Sequence, residues 1–217
     1  MILSRGRGYL FIHIPKTGGT SLALALEARA MADDQMLGDT PKARKRRGRL
    51  KAVQAAGRLW KHSTLRDLQG VLGENDLQRL LVVTLVRNPW DRCLSYYAWL
   101  QAQSFDHPSV ALAKSLSFPA FLMHPDTQRS LRANPYSSYV TDWHGRDRCG
   151  CYLRLEHLAT DLPVFEQHLG FALDMPHVNR STRQDDYRRA YDDSTRALVA
   201  ALCAQDIARF GYEFDPN

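Results

Sequence analysis

Short apolar runs alternate with a helix-forming stretch along this chain. Residues 9–14 and Leu81–Val86 are continuous apolar runs rich in aromatic and β-branched side chains, which is typical of strands buried on both faces. Residues 151–155 predict a further strand. Residues 22–32 consist mainly of strong helix formers and predict a helix soon after the first strand. This alternation predicts an α/β fold with a mainly parallel sheet.

Capping and breaker residues predict where the other helices begin and end. Asn88 and Pro89 follow the second strand and are suited to the N-cap and first position of a helix. A helix is predicted over residues 65–80, after a short strand that ends near residue 60. The helix that follows the third strand is expected to end at Gly170, and a last helix is predicted over about residues 193–209.

A polar glycine turn separates the first strand from the first helix. Glycines let backbone N–H groups converge, and the N-terminus of the following helix adds partial positive charge. A lysine adds a full charge and hydroxyl groups add further donors. The sequence therefore predicts a phosphate site formed by Lys16, Thr17, Gly18, Gly19, Thr20 and Ser21. An ordinary glycine turn is the alternative.

This turn differs from the usual nucleotide-binding loops. A Walker A loop has a lysine directly after its last glycine, followed by a Ser or Thr that holds Mg²⁺. Here the lysine precedes the glycines, and the chain contains neither GK[ST] nor GxGxxG. The loop is therefore suited to a phosphate that needs no metal ion, which disfavours an ATPase or a kinase.

Two motifs resemble those of a known enzyme family. Residues 14–21, IPKTGGTS, are similar to the 5′-phosphosulfate loop of sulfotransferases that use 3′-phosphoadenosine 5′-phosphosulfate (PAPS), most closely in the branch of the heparan and uronyl O-sulfotransferases. Residues 81–97 are similar to the 3′-phosphate motif of that family, and weaker matches extend the resemblance over most of the chain. The resemblance implies a P-loop-like, three-layer fold in which helices flank a central, mainly parallel sheet.

The resemblance also implies which residues bind PAPS. Residues 16–21 would hold the 5′-phosphosulfate. Arg87 and Ser95 would hold the 3′-phosphate, for which a guanidinium fork and a hydroxyl are suited. From their positions at the start of the helix, Asp91 and Arg92 are assigned a structural role, as salt bridges with neighbouring residues. Arg183 lies in a polar loop like one that the family places near the adenosine, and an ordinary surface loop is the alternative.

His62 is the candidate general base. An acceptor hydroxyl must lose its proton as its oxygen bonds to sulfur, and an imidazole titrates close to neutral pH. Members of the resembling family often carry a histidine between the two PAPS motifs, and a surface or capping histidine is the alternative. Lys16 is the second catalytic candidate, because it would stabilise charge that builds up on the bridging oxygen and the 5′-phosphate.

The composition is that of a basic globular protein. A length of 217 residues, 44% of them hydrophobic and 24% charged, supports a single domain over residues 1–217. The chain has no apolar run long enough for a membrane span and no signal-peptide pattern, and four cysteines are too few for a disulfide scaffold. We therefore expect a soluble protein of the reducing cytoplasm.

A dense run of lysine and arginine lies in a region expected to be a loop, about residues 38–51. With the formal net charge of +6, it favours anionic ligands. The run can be a solvated, mobile loop, a surface that binds a polyanionic acceptor, or a nucleic-acid patch. The last interpretation is disfavoured because no aromatic residues are interleaved with the charges.

Together with the phosphate site read from the residues, the resemblance implies a PAPS-dependent sulfotransferase that leaves PAP (3′-phosphoadenosine 5′-phosphate) as its product. It would transfer a sulfuryl group by in-line displacement to a hydroxyl or amine of a small-molecule or glycan acceptor, with a carbohydrate favoured. No metal ion, nucleic-acid partner or integral membrane segment is expected. A kinase-like phosphotransferase and a non-catalytic polyanion-binding module are the alternatives.

Overall fold

The computed structural model describes residues 1–176 and 186–215. The chain divides into two compact units. The first comprises Met1–Val86 and the segment that begins at Tyr136, and the second comprises Arg87–Pro135 and the C-terminal segment. A single domain over residues 1–217 stays a prediction. Within the described ranges, no helix has both the length and the apolar character that a bilayer crossing requires.

The first unit is built on a five-stranded sheet. β2, β4 and β5 pair in parallel, whereas β1 runs antiparallel to both β2 and β3. Four of the five strands therefore point the same way, and the predicted α/β fold with a mainly parallel sheet is confirmed. In the order β3-β1-β2-β4-β5, the strands are β1 (Ile2–Ser4), β2 (Tyr9–Ile12), β3 (Gln35–Met36), β4 (Leu81–Val86) and β5 (Cys149–Arg154).

Helices complete both units. The first unit contains α1 (Gly19–Ala28), α2 (Pro41–Arg46), α3 (Glu74–Arg79), α8 (Tyr136–Val140) and α9 (Leu158–Leu169), with 3-10 turns at Arg47–Leu50, Arg66–Leu68 and Leu155–His157. The second unit contains α4 (Pro89–Gln101), α5 (Pro108–Ser115), α6 (Phe118–Met123), α7 (Pro125–Ala133), α10 (Asp193–Leu202) and α11 (Ala204–Phe210), with a 3-10 turn at Tyr187–Ala190.

The central strands are buried on both faces, as their continuous apolar sequences predict. Side chains alternate between the faces of a strand. One face packs against α1 and α9 in a single apolar cluster, which includes Tyr9, Phe11, Leu22, Leu26, Val83, Leu85, Phe165 and Leu169. Leu10 and Ile12, which alternate with the β2 residues of that cluster, are also fully buried.

The parallel register places the ends of β2 and β4 at the same edge of the sheet. Ile12, the last residue of β2, pairs with Thr84, and β4 continues to Val86. The Thr84 hydroxyl also donates to the Ile12 carbonyl over 2.7 Å. The carboxyl edge of parallel strands is where ligands bind in open α/β sheets. The loop that follows β2 therefore begins at the edge where the sequence predicts a phosphate site.

The helix predicted over residues 65–80 is wrong in its middle. The chain makes a 3-10 turn at Arg66–Leu68 and begins α3 only at Glu74. Gly70 between them has a φ of 96°, and a Cβ there would lie 2.3 Å from the backbone carbonyl oxygen of Gln54. This close approach of two chain segments replaces helical hydrogen bonding. The short strand predicted near residue 60 does not form either.

The basic segment is helical rather than the loop expected over about residues 38–51. It forms α2 and a 3-10 turn, because Thr40 and Pro41 begin a helix as N-cap and first residue. The buried carboxylate of Glu27, in the last turn of α1, then caps it from outside. That carboxylate accepts the Thr40 hydroxyl, the Lys42 N–H over 2.6 Å and the Ala43 N–H over 3.3 Å.

In the second unit, one predicted helix start is confirmed, and one helix predicted to be continuous is interrupted. The Asn88 side chain accepts the Trp90 N–H over 3.1 Å, with Pro89 in the first turn of α4, as predicted. The last helix is not continuous over residues 193–209. It is interrupted at Cys203, whose φ of −110° and ψ of 19° lie outside the helical range.

Candidate functional site

A tight turn leads from β2 to α1 and has an unusual backbone. Lys16 has a φ of 67°, in the left-handed region that residues with a Cβ seldom adopt. Gly18 follows with a φ of 84° and is the N-cap of α1. Thr17 is fully buried, and its hydroxyl donates to the Ile14 carbonyl over 2.9 Å. The Thr17 proton therefore closes the turn, while Lys16 is held in a strained conformation of the kind found at functional sites.

Both glycines of the turn are required by their neighbours. A Cβ at Gly18 would lie 2.7 Å from Leu155 Cδ1, and one at Gly19 would lie 2.3 Å from His13 Cδ2 and 2.6 Å from His13 Nε2. The start of α1 is thus pressed against the side chain of Leu155 and the ring of His13. Only glycine allows this approach without a shift of neighbouring atoms.

The start of α1 has the features of an anion site. The first N–H groups of a helix lack partners within the helix, and the helix dipole makes this end positive. Gly18 has no side chain with which to cap them, no side-chain capping bond is present, and the first turn contains no acidic residue. Thr20 and Ser21 lie in this first turn. The first turn can therefore bind a phosphate group without a competing carboxylate of its own.

Two histidines lie next to this cradle and contact each other. Their ring centroids are 4.7 Å apart in an edge-on arrangement, and His62 Nδ1 lies 2.7 Å from the backbone carbonyl oxygen of His13. A carbonyl oxygen only accepts hydrogen bonds, so Nδ1 of His62 carries the proton and donates it. In a neutral ring, Nε2 of His62 is then the atom that can accept a proton.

Both histidines are held in the neutral form. Burial lowers the pKa of His62 from 6.5 to about 4, against the opposing effect of its hydrogen bond to the His13 backbone. Burial also lowers the pKa of His13 well below its ordinary value, and the positive charge of Lys16 adds to this effect. His62 is therefore deprotonated at neutral pH and is a weaker base than an ordinary imidazole, which departs from the near-neutral titration expected from the sequence. Lys16 lies close enough to influence the ring of His13.

An exposed aromatic ring adjoins the candidate base. Trp60 has 40% of its surface exposed, and its ring centroid lies 5.0 Å from that of His62 in an edge-on arrangement. The guanidinium of Arg58 lies over the Trp60 ring, 5.0 Å from its centroid. The candidate base is thus accompanied by an amphipathic surface on which a ligand with both apolar and charged groups can rest.

The predicted 3′-phosphate residues lie in the second unit. Arg87 comes directly after β4, and its guanidinium donates to Asp91 through Nε, over 2.7 Å, and through Nη2. The pair is one helical turn apart and largely buried. Ser95 lies further along α4 and is 6% exposed. Arg183 lies outside the described residues.

The structure brings together part of the predicted site. The loop of residues 16–21 and His62 share one neighbourhood, since the ring of His13 contacts both Gly19 and His62. The sequence pattern places His13 in the first strand and does not mark it as a site residue. Its position at the end of an apolar run, just before the glycine turn, was the available signal. The Asp91 salt bridge is present, with Arg87 as its partner.

No group of three or more metal-ligating side chains occurs in the described part of the chain. No protein-family model and no curated protein matches the sequence. Among solved structures, the fold is similar to that of mouse sulfotransferase SULT7A1 complexed with PAP, with a TM-score of 0.51 and 13% sequence identity. The match covers 91% of this chain and 83% of that one. At this identity the likeness concerns the fold, and the predicted three-layer fold with helices around the sheet is confirmed.

Proposed function

We propose that this chain is a PAPS-dependent sulfotransferase. The observation that carries the proposal is the contact of one ring, that of His13, with both the phosphate cradle at Gly19 and the neutral imidazole of His62. Sulfuryl transfer needs an anion site and a proton acceptor next to each other, and this arrangement supplies both. The fold shared with a sulfotransferase that binds PAP supports the same conclusion.

The residues present fit the two ends of PAPS to different degrees. For the 5′ end, the start of α1 has no side-chain cap and no acidic residue in its first turn, and Lys16 adds charge. For the 3′ end, Arg87 provides the guanidinium and Ser95 a hydroxyl. Asp91 holds the guanidinium in one orientation and neutralises part of its charge, so Arg87 offers a phosphate less than a full positive charge.

When bound, PAPS supplies a sulfuryl group on a phosphate leaving group. In the proposed reaction, Nε2 of His62 accepts the proton of the acceptor hydroxyl, while Nδ1 keeps the ring oriented through the His13 carbonyl. Lys16 and the N–H groups of Gly19 and Thr20 stabilise the negative charge that grows on the leaving oxygen. Because this charge is larger in the transition state than in the ground state, these contacts raise the rate.

Two features favour a carbohydrate acceptor with negative charge. Trp60, beside the candidate base, offers an exposed ring to a sugar face, and Arg58 adds a cation. The basic segment separates into two sets. Arg46 and Arg49 donate to backbone carbonyls of the turn that follows α1, including that of Asp34. Other cations of the segment, Arg44, Lys45, Arg47 and Lys51, are exposed.

Two substitutions test the proposed catalytic roles. Lys16→Ala is expected to lower turnover by roughly a hundredfold or more, the usual loss when a preorganised charge contact is removed. His62→Ala is expected to keep PAP binding and lose rate. Matched controls are Lys114→Ala and His107→Asn, at exposed positions of the second unit. Normal turnover of His62→Ala with a true acceptor would exclude it as the base.

The acceptor class is tested with radiolabelled PAPS and a panel of uronic-acid oligosaccharides alongside neutral ones. The variant R44Q/K45Q/R47Q is expected to raise KM for acidic acceptors and leave PAP affinity unchanged. The control R46Q/R49Q removes the bonds to backbone carbonyls and is expected to lower stability instead. Equal use of neutral and acidic acceptors by the wild-type protein would contradict an anionic acceptor.

The exposed cations also favour a second candidate, a polyanion-binding module without catalysis. Thermal shift separates the candidates, since a ligand that binds only the folded state raises the melting temperature. PAP is expected to raise it strongly, and ATP with Mg²⁺ much less. A binding module would respond to acidic oligosaccharides and not to PAP, whereas a kinase-like enzyme would prefer ATP with Mg²⁺.

A further inference from the structure

Two cysteines of the second unit, Cys93 and Cys203, interact through a side-chain hydrogen bond. Cys93 is on α4 and is 5% exposed, whereas Cys203 lies between α10 and α11 and is partly exposed. The thiol of Cys93 hydrogen-bonds to the sulfur of Cys203. Around them, α4 and α10 are packed together, and the Trp90 indole N–H donates to the Arg196 carbonyl over 3.0 Å. Sequence spacing gives no indication of this pair, since 110 positions separate the two residues.

We propose that Cys93 and Cys203 are a redox site that closes to a reversible disulfide when the protein meets a peroxide. Two thiols in hydrogen-bond contact need only a small approach to form an S–S bond. Both are free in this structure. Cys203 is where two helices meet outside helical geometry, so its backbone can adjust to the bond more readily than a residue within a helix. The proposal does not depend on the sulfotransferase assignment.

The surroundings give the two sulfurs different roles. The hydrogen bond from Cys93 and the positive charge of Arg92 lower the pKa of Cys203, against burial and the charge of Asp206. The same hydrogen bond, together with burial, raises the pKa of Cys93 well above its usual value. The phenol of Tyr191 also lies near both sulfurs, and burial keeps it neutral by raising its pKa. Cys203 is partly exposed and loses its proton more readily than Cys93, so we assign it as the sulfur that reacts first and Cys93 as the thiol that resolves.

The chemistry balances with hydrogen peroxide as the oxidant. The Cys203 thiolate attacks one peroxide oxygen, the O–O bond breaks, and sulfenic acid and water form after one proton is taken up. The Cys93 sulfur then attacks the sulfenic sulfur, the S–O bond breaks, and a second water leaves with the Cys93 proton. Two thiols lose two electrons to one peroxide, and a thiol reductant reverses the change.

The bond would join α4, which carries Ser95, to the C-terminal helices. It closes a loop of more than a hundred residues, so the unfolded chain loses much of its freedom. We expect oxidation to raise the melting temperature by roughly 5–10 °C, provided that the native geometry is kept.

The test uses the full chain in a C149S/C151S background, which leaves only the proposed pair. That background is needed because Cys149 and Cys151 are close neighbours on β5, with Cys149 Sγ 3.3 Å from the Cys151 carbonyl. After treatment with one equivalent of peroxide, intact mass is expected to fall by about 2 Da, with both thiols lost to alkylation in the monomer and regained with dithiothreitol.

Two variants complete the experiment. Adding Cys93→Ser should abolish the mass loss and leave Cys203 as a sulfenic or more oxidised acid. Adding Cys203→Ser should leave Cys93 reduced at the same peroxide dose. Overoxidation of Cys203 while Cys93 remains alkylatable in the unsubstituted pair would overturn the proposal, as would retention of both thiols. A circular-dichroism melt of each variant confirms that it is folded before treatment.

Discussion

Acidification tests the environment assigned to His62, because its neutral form is a property of the folded protein. Its pKa lies at about 4 in the folded state and at 6.5 in the unfolded one. Between these values the unfolded chain binds a proton that the folded chain does not, so stability falls as pH falls. One pKa unit corresponds to about 1.4 kcal/mol, so the loss is about 2 kcal/mol by about pH 5 and about 3 kcal/mol by about pH 4.

Urea unfolding at about pH 7.5, 6 and 5, followed by tryptophan fluorescence, measures this loss. Other groups titrate as well, so the wild-type protein is compared with His62→Gln, which cannot titrate and keeps a donor for the His13 carbonyl. The gap in unfolding free energy between them should narrow by about 2 kcal/mol from about pH 7.5 to 5. A constant gap, or an NMR titration of His62 with a midpoint near its ordinary value, would refute the buried environment.

Two further substitutions examine the loop and the basic helix. Gly19→Ala places a Cβ 2.3 Å from His13, and it should lower the free energy of unfolding in urea by about 1–3 kcal/mol and weaken PAP binding. The control Gly48→Ala, whose Cβ would have nothing within 4 Å, should do neither. Similar behaviour of the two variants would argue against the close contact at Gly19. Glu27→Gln removes the charge that accepts three donors at the start of α2 and should lower unfolding free energy by about 1–3 kcal/mol; an unchanged urea midpoint would show that the cap contributes nothing.

The sequence predicted the parts of the fold that are set by local pattern. The run Leu81–Val86 is continuous, apolar and β-branched, and it is a strand over those residues. Asn88 caps α4 because its side chain accepts a backbone N–H of the first turn. Gly170 ends α9 because it has no side chain to oppose the left-handed backbone conformation at that position. The predicted helix over residues 65–80 was wrong because the backbone at Gln54, which is distant in sequence, packs against Gly70 and interrupts the helix. No local periodicity in the sequence reveals this contact.

The candidate site divides in the same way. The glycines and Lys16 lie within a single turn, so their chemistry can be read directly from the sequence. The role of His13 cannot, since it arises from contact with His62, 49 positions away. The spacing of one helical turn between Arg87 and Asp91 is visible in the sequence and is compatible with a salt bridge. Only the structure shows that Asp91 engages the guanidinium that is expected to bind phosphate.

The measurement that tests the central claim most directly is calorimetric titration of the purified chain with PAP in the presence of a chelator. We expect one PAP to bind per chain, with an affinity that is unchanged by the chelator or by added Mg²⁺ and greatly reduced in Lys16→Ala. Absence of binding heat, or binding that requires a divalent ion, would contradict a phosphate cradle built from Lys16 and the start of α1.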